Sequence, residues 1–234
     1  MHPSRWPYFH RSSRRHFHRH FARYKFLRCT FVTDGSSDRQ LIPILEWVLR
    51  NVGKVPSISS QWADFSRGKK PAGLAARIKR ALELYPCDLL FIHRDAEKQE
   101  PELRVQEIND ALAEVQQRPV PPAVCVVPVR MQEAWLLFDE SAIRNAAGNP
   151  NGTTPLNLPP LSSVESIPDP KKVLHDMLRN ACGLSGRRLK KFSPNRSAAF
   201  VTQYATDYTK LRRLAAFQQL EKDVESLRLA GWKK

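Results

Sequence analysis

The 234-residue chain has no apolar run near the roughly 18 residues that a membrane-spanning helix needs, so no membrane association is expected. Its four cysteines, Cys29, Cys87, Cys125 and Cys182, have no CxxC spacing and no paired histidines. That pattern argues against zinc or a disulfide framework and fits buried free thiols in a reducing compartment, with the cytoplasm as the expected location. There is no GxxxxGK[ST] phosphate loop, so any ATPase motor would be a separate partner chain. There is no GxSxG elbow, so a Ser-His-Asp hydrolase has no support. No internal repeat is found.

Acids are missing from one end. Residues 1–28 hold seven Arg and one Lys with no Asp or Glu, and five of the seven His. The formal net charge is +15, so this stretch carries +8 and the remaining residues +7. The stretch lacks the apolar core of a secretory signal. Residues 1–26 read as a disordered basic arm, with an organellar transit peptide or an upstream extension of the reading frame as alternatives. With 41% hydrophobic and 26% charged residues, the chain as a whole has the composition of a globular protein.

From Phe26 the pattern becomes periodic. The run KFLRCTFV predicts a strand, and SSDRQLIPILEWVLRNVG an amphipathic helix in which Pro43 sits awkwardly. A shorter strand is expected around Ile58–Phe65, a basic loop at Arg67, Lys69 and Lys70, and a helix at Gly73–Leu84. CDLLFIH and AVCVVPV read as buried parallel strands separated by a helix at Pro101–Gln117, and MQEAWLLFD as a helix start. Strands alternating with helices predict an α/β fold with a central parallel sheet flanked by helices. The expected organisation is a domain over 27–140, a linker or long loop over 141–170 and a helical C-terminal region over 171–234.

Three of the predicted strand exits are acidic: Asp34 and Asp38, then Asp95 and Glu97, then Glu133. The carboxyl ends of parallel strands line one crevice, so acids delivered there could share one or two divalent cations and support phosphodiester cleavage. Each acid also has a plain structural reading. Asp34-Gly35 is a turn pair, Ser37-x-x-Gln40 a helix-capping box, and the others are charges near helix starts.

The runs FVTDGSSD, IHRDAE and PVRMQEAWLL, in that order, resemble the TOPRIM fold, and most of all the small TOPRIM-like proteins related to the OLD-family nucleases that occur near phage-defence genes. The likeness covers roughly residues 26–225. It includes GRRLKKF at 186–192 and LRRLAAF at 211–217, which look like that group's helical C-terminal region. The resemblance implies a Mg²⁺- or Mn²⁺-dependent nuclease acting on DNA or RNA. Asp34, Asp38, Asp95, Glu97 and Glu133 would be its metal ligands; Asp34, Asp95 and Glu133 would be catalytic, with Asp34 as general base. Two positions depart from the family pattern, since Asp34 stands where Glu is usual and Glu97 where Asp is usual.

Arg187, Arg188, Lys190 and Lys191 form the densest basic cluster outside the arm and are candidate phosphate contacts. Arg130 is a further candidate, for an acid or for the scissile phosphate. His93 reads as a packed structural histidine and Trp135 as core. The alternative function is a non-catalytic nucleic-acid-binding or sensor subunit of a defence complex.

Overall fold

The computed structural model describes residues 26–68, 71–115 and 120–229. The arm at 1–25, and Lys69 and Lys70 of the basic loop, lie outside them. Four strands form one sheet: β1 (Leu27–Val32), β2 (Ile58–Trp62), β3 (Leu89–His93) and β4 (Ala123–Val126). Their order is β2-β1-β3-β4 and every pairing is parallel. Parallel neighbours need crossover connections. These run through α1 (Ile42–Asn51), α2 (Leu74–Leu84) and α3 (Pro101–Glu114).

The two-residue period of a strand divides the side chains between two cores. Leu27, Cys29, Phe31, Leu89, Phe91, Val124 and Val126 face one side, where α1 and the C-terminal helices pack. Val32, Leu90 and Ile92 face the other, against Ile78 of α2 and Ile108 and Ala111 of α3. Burial on both faces explains why β3 is a continuous apolar run. At the opposite end of the sheet from the acids, Arg28 clips β1 to the start of β3. Its Nε and Nη2 donate to the two carboxylate oxygens of Asp88 at 3.1 and 2.9 Å.

The element boundaries differ from the sequence expectations in two informative places. The helix expected after β1 is a 3₁₀ segment, Ser36–Leu41, followed by α1. Pro43 therefore falls in the first turn of α1, where a missing N–H is tolerated. MQEAWLLFD forms a 3₁₀ turn at Gln132–Leu136, and the next helix, α4 (Glu140–Ala146), starts at an N-cap where Asp139 accepts from the Ala142 N–H at 3.1 Å.

Residues 141–170 hold most of α4 and a short helix, α5 (Leu161–Val164), with Ile143, Leu156 and Val164 buried in the core. This stretch packs against the body through apolar side chains. The chain then continues through α6 (Pro170–Ala181), α7 (Gly186–Lys191), α8 (Pro194–Tyr204), a 3₁₀ turn at Thr209–Arg213 and α9 (Ala215–Ser226). No described helix is long and apolar enough to cross a membrane.

The C-terminal helices complete the core on one face of the sheet. Trp135 is fully buried edge-on to Phe217 of α9, with ring centroids 5.5 Å apart at 78°. Truncating Phe217, itself fully buried, should therefore destabilise the sheet as well as the tail. Phe217→Ala is expected to lower unfolding free energy by about 3–5 kcal/mol, in one cooperative transition by urea denaturation. Separate unfolding of the tail at lower urea would contradict the shared core.

Candidate functional site

The exits of β1 and β3 meet because the two strands are hydrogen-bonded neighbours with Val32 opposite Ile92. The chain leaving β1 is shaped by Thr33. Its hydroxyl donates to the Gly35 carbonyl at 2.7 Å and accepts from Trp62 Nε1 at 2.9 Å. The 3₁₀ segment that follows begins with Asp38 turned back, and its Oδ2 accepts from the Gly35 N–H at 3.1 Å. The capping box expected from Ser37 and Gln40 is not made. The Ser37 hydroxyl instead donates to Asp38 Oδ1 at 3.0 Å.

A histidine buried among carboxylates lies at the centre. His93, the last residue of β3, is 2% exposed. Its Nδ1 stands 3.4 Å from Asp38 Oδ2 and its Nε2 stands 3.3 Å from Asp95 Oδ1. Neither contact has the alignment of a good hydrogen bond, so the attraction is mainly that of opposite charges. Burial on its own would lower the imidazole's pKa, but Asp38 and Asp95 outweigh it and push it up to about 9. In the same way, burial would raise the Asp38 carboxyl, yet His93, the Gly35 N–H and Ser37 bring it below the usual carboxylate range. At neutral pH this favours the charged imidazole, with Asp38 and Asp95 on its two sides.

Gln132 closes the network from the third strand exit. Its backbone N–H donates to Asp95 Oδ1 at 2.8 Å, and its side-chain Nε2 donates to Asp38 Oδ1 at 2.7 Å. Its Oε1 is buried without a partner among the described residues. Glu133, next in sequence, is also buried. Burial raises its carboxyl above the ordinary value; nearby Lys171, with Nζ 3.8 Å from Oε1, opposes this, and Asp95 and Asp38 add to it.

The outer acids are held by arginines. Asp34 is paired with Arg77 of α2 and with Arg94, whose Nη1 lies 2.6 Å from Oδ2. Arg94 also reaches Glu107 at 3.0 Å. Glu97 is exposed; its carboxylate lies 3.3 Å from Arg104, which also holds Glu107 and donates to the Asp95 carbonyl. Arg130 braces the same turn by its backbone, since its carbonyl accepts from the Glu97 N–H at 2.7 Å. Both Glu97 and Arg130 sit at positive φ, 55° and 63°, a conformation that costs non-glycine residues energy and persists only where surrounding contacts impose it.

Asp34, Asp38, Asp95 and Glu97 thus line one cleft of about 270 Å³ together with His93, Arg94 and Arg104. Glu133 is buried and is not among the residues that line the cleft. Arg187, Arg188, Lys190 and Lys191 are not among the cleft residues; they lie on α7, fully on the surface.

Divalent metal is a poor fit for the carboxylates as arranged. Among the described residues no three His, Cys, Asp or Glu side chains form a group that could hold an ion. The physical reason is visible in the pairing. The negative charge that would attract a cation is already met by Arg77, Arg94, Arg104, His93 and Lys171. Asp34 as general base meets the same difficulty, because both of its oxygens are engaged by guanidinium donors.

The residues that sequence reasoning missed are mostly these counter-charges. Arg77 lies 43 positions along the chain from Asp34, Arg104 is close in sequence to Glu97 and Glu107 but reads locally as a solvated helix charge, and Gln132 stands beside the more conspicuous Glu133. The one available signal was the density of polar residues around each strand exit. Comparison with family models, curated proteins and solved structures returns no match to this chain.

The buried imidazolium makes stability depend on pH with a definite sign. The folded pKa, about 9, exceeds the ordinary 6.5, so its contribution is complete below about pH 6.5 and fades as pH rises through 9. Urea denaturation should show wild type losing stability relative to His93→Gln across that interval. Parallel curves for the two proteins would mean that the imidazole is neutral.

Proposed function

We propose that this chain is a TOPRIM-like phosphodiester hydrolase acting on DNA or RNA, related to the OLD-family nucleases and serving as a phage-defence effector with a separate ATPase chain as partner. The observation that carries the reading is the meeting of the acidic exits of β1 and β3 in one cleft whose rim holds Arg94 and Arg104. Guanidinium groups match phosphate oxygens in a two-pronged geometry that Lys does not offer. A phosphate entering the cleft would compete with Asp34 and Glu107 for Arg94. Winning Arg94 would release one oxygen of Asp34 beside the incoming group, which is where a general base is needed. His93 would hold Asp38 and Asp95 together while this exchange takes place.

Mg²⁺ or Mn²⁺ belongs to the proposal as the cofactor that the family resemblance implies, with Asp34, Asp38, Asp95, Glu97 and Glu133 as its ligands. For an ion to bind, those acids would first have to give up their present cationic partners. That internal neutralisation favours a second reading, a non-catalytic nucleic-acid-binding or sensor subunit of a defence complex.

Two measurements separate the readings. With Mn²⁺ present, wild type should cleave DNA or RNA, and Asp95→Asn and Glu133→Gln should each reduce the rate by about a hundredfold or more, the scale of loss when reacting groups are misplaced. Calorimetric titration with Mn²⁺ should give a binding isotherm in wild type. Absent cleavage together with absent binding at millimolar Mn²⁺ would discard the hydrolase and leave the binding subunit.

A further inference from the structure

Helix α8 has an inverted build. It turns small residues inward, with Pro194, Ser197, Ala198, Val201 and Thr202 buried, and it sets its two largest side chains outward. Phe200 is 41% exposed and Tyr204 51%. An amphipathic helix normally does the opposite, because each exposed aromatic ring forfeits hydrophobic stabilisation. Four residues apart, the two rings share one face, and Arg196, one further turn back, is exposed on the same stripe. The rise along the helix axis between stripe positions is about 6 Å. That is close to two base-stacking steps of about 3.4 Å.

The surroundings of the stripe are strongly basic. Residues 171–213 contain eleven Lys and Arg against two acids, a net charge of +9. Arg187, Arg188, Lys190 and Lys191 of α7 are exposed and lead into α8 through Phe192 and Ser193. No described carboxylate pairs with any of these four or with Arg196; the ion pairs of this tail fall elsewhere, on Lys171, Arg179 and Arg212. The helix that carries the stripe packs through its other face on the segment that holds Asp38. Thr202, on the buried side of α8, donates to the Gln40 carbonyl at 2.6 Å, two residues from Asp38.

We infer that the outer face of α8, with the basic side chains of α7, binds a single-stranded nucleic acid by stacking unpaired bases on Phe200 and Tyr204. A duplex stacks its base faces on one another and leaves none free for an aromatic ring, so it would use the arginines and lysines and leave the rings idle. An unpaired strand uses both, since every base has a face to stack and a phosphate to pair. This inference rests on the proposed action on nucleic acid and names the form that is held.

The test is fluorescence anisotropy of the full chain in EDTA, which prevents any cutting, with labelled oligothymidylate, oligouridylate, a duplex of equal length and an abasic strand of equal length. Oligothymidylate or oligouridylate should bind more tightly than the duplex. Phe200→Ala and Tyr204→Ala should each weaken single-strand binding by roughly tenfold, the effect of one lost base stack, and Phe200→Tyr should restore it. The same alanine variants should leave abasic-strand binding unchanged, whereas Arg187→Ala with Arg188→Ala should weaken every probe. Alanine variants that bind the single strands as well as wild type, or a duplex preference, would overturn the stacking site while leaving nucleic-acid binding intact. Failure to bind any probe would remove the stacking site and the nucleic-acid reading together.

Discussion

A charged imidazole with almost no access to water is the constraint on which the acidic end of this molecule depends. An isolated imidazolium at the position of His93 would give up its proton, because burial disfavours charge. It keeps the proton because Asp38 and Asp95 flank it at 3.4 and 3.3 Å. The dependence runs both ways, since without the cation the two carboxylates would lose the charge that draws both of them to the ring. The group therefore stands or falls as a unit. It ties the turn after β1 to the exit of β3, and Gln132 adds the turn after β4 by donating to both carboxylates. Four side chains and one backbone N–H join the three turns here, beside the backbone hydrogen bonds that already run between the turns after β3 and β4.

This charge pairing extends outward and gives the site its character. Asp34, Glu97 and Glu107 are each met by arginine, so the cleft is densely charged but close to balance. A balanced site differs from an open acidic pocket in what it demands of a ligand. The ligand must offer better pairing than the internal partners, at the places where those partners are exposed enough to leave. Arg94 and Arg104 have about a fifth or less of their side-chain surface exposed, whereas Asp34 and Glu97 are far more open. The movable members are therefore the outer acids, and the fixed ones are the guanidinium groups and the Asp38–His93–Asp95 core.

How much of this could be read from the sequence follows from the range of each interaction. β3 is legible because a parallel strand covered on both faces reads as a largely apolar run, as LLFIH does, and β1 and β4 are mostly apolar in the same way. The gathering of Asp34, Asp38, Asp95 and Glu97 is legible because strand exits of a parallel sheet share one edge. The counter-charges are not, because Arg77 reaches Asp34 across 43 positions of sequence, and only the crossing path of α2 decides it. The expected helix at 132–136 becomes a 3₁₀ turn where the Gln132 N–H is committed to Asp95, a contact 37 positions away that no local pattern announces. Residues 141–170 show a related effect. Their Asn, Gly and Pro content reads as loop, yet Ile143, Leu156 and Val164 at irregular spacing are enough to anchor them in the core.

The charge asymmetry of the whole chain is set by the same packing. Residues 97–114, around α3, carry six acids and two bases, a net charge of −4, while residues 171–213 on the opposite side of the sheet carry +9. The site lies where the two regions approach one another. Lys171 of α6 reaches Glu133, and Thr202 of α8 reaches the 3₁₀ segment that carries Asp38. A polyanion would be drawn to the basic tail and repelled by α3, so its approach is confined to one side of the cleft. Arg94 and Arg104, reaching back from the acidic side, are then the cations it meets last. Under the proposed action on nucleic acid, such an arrangement would orient a long anionic chain before any single phosphate entered the cleft. The excess positive charge of the tail and the near-neutrality of the cleft are in this way complementary properties of one surface.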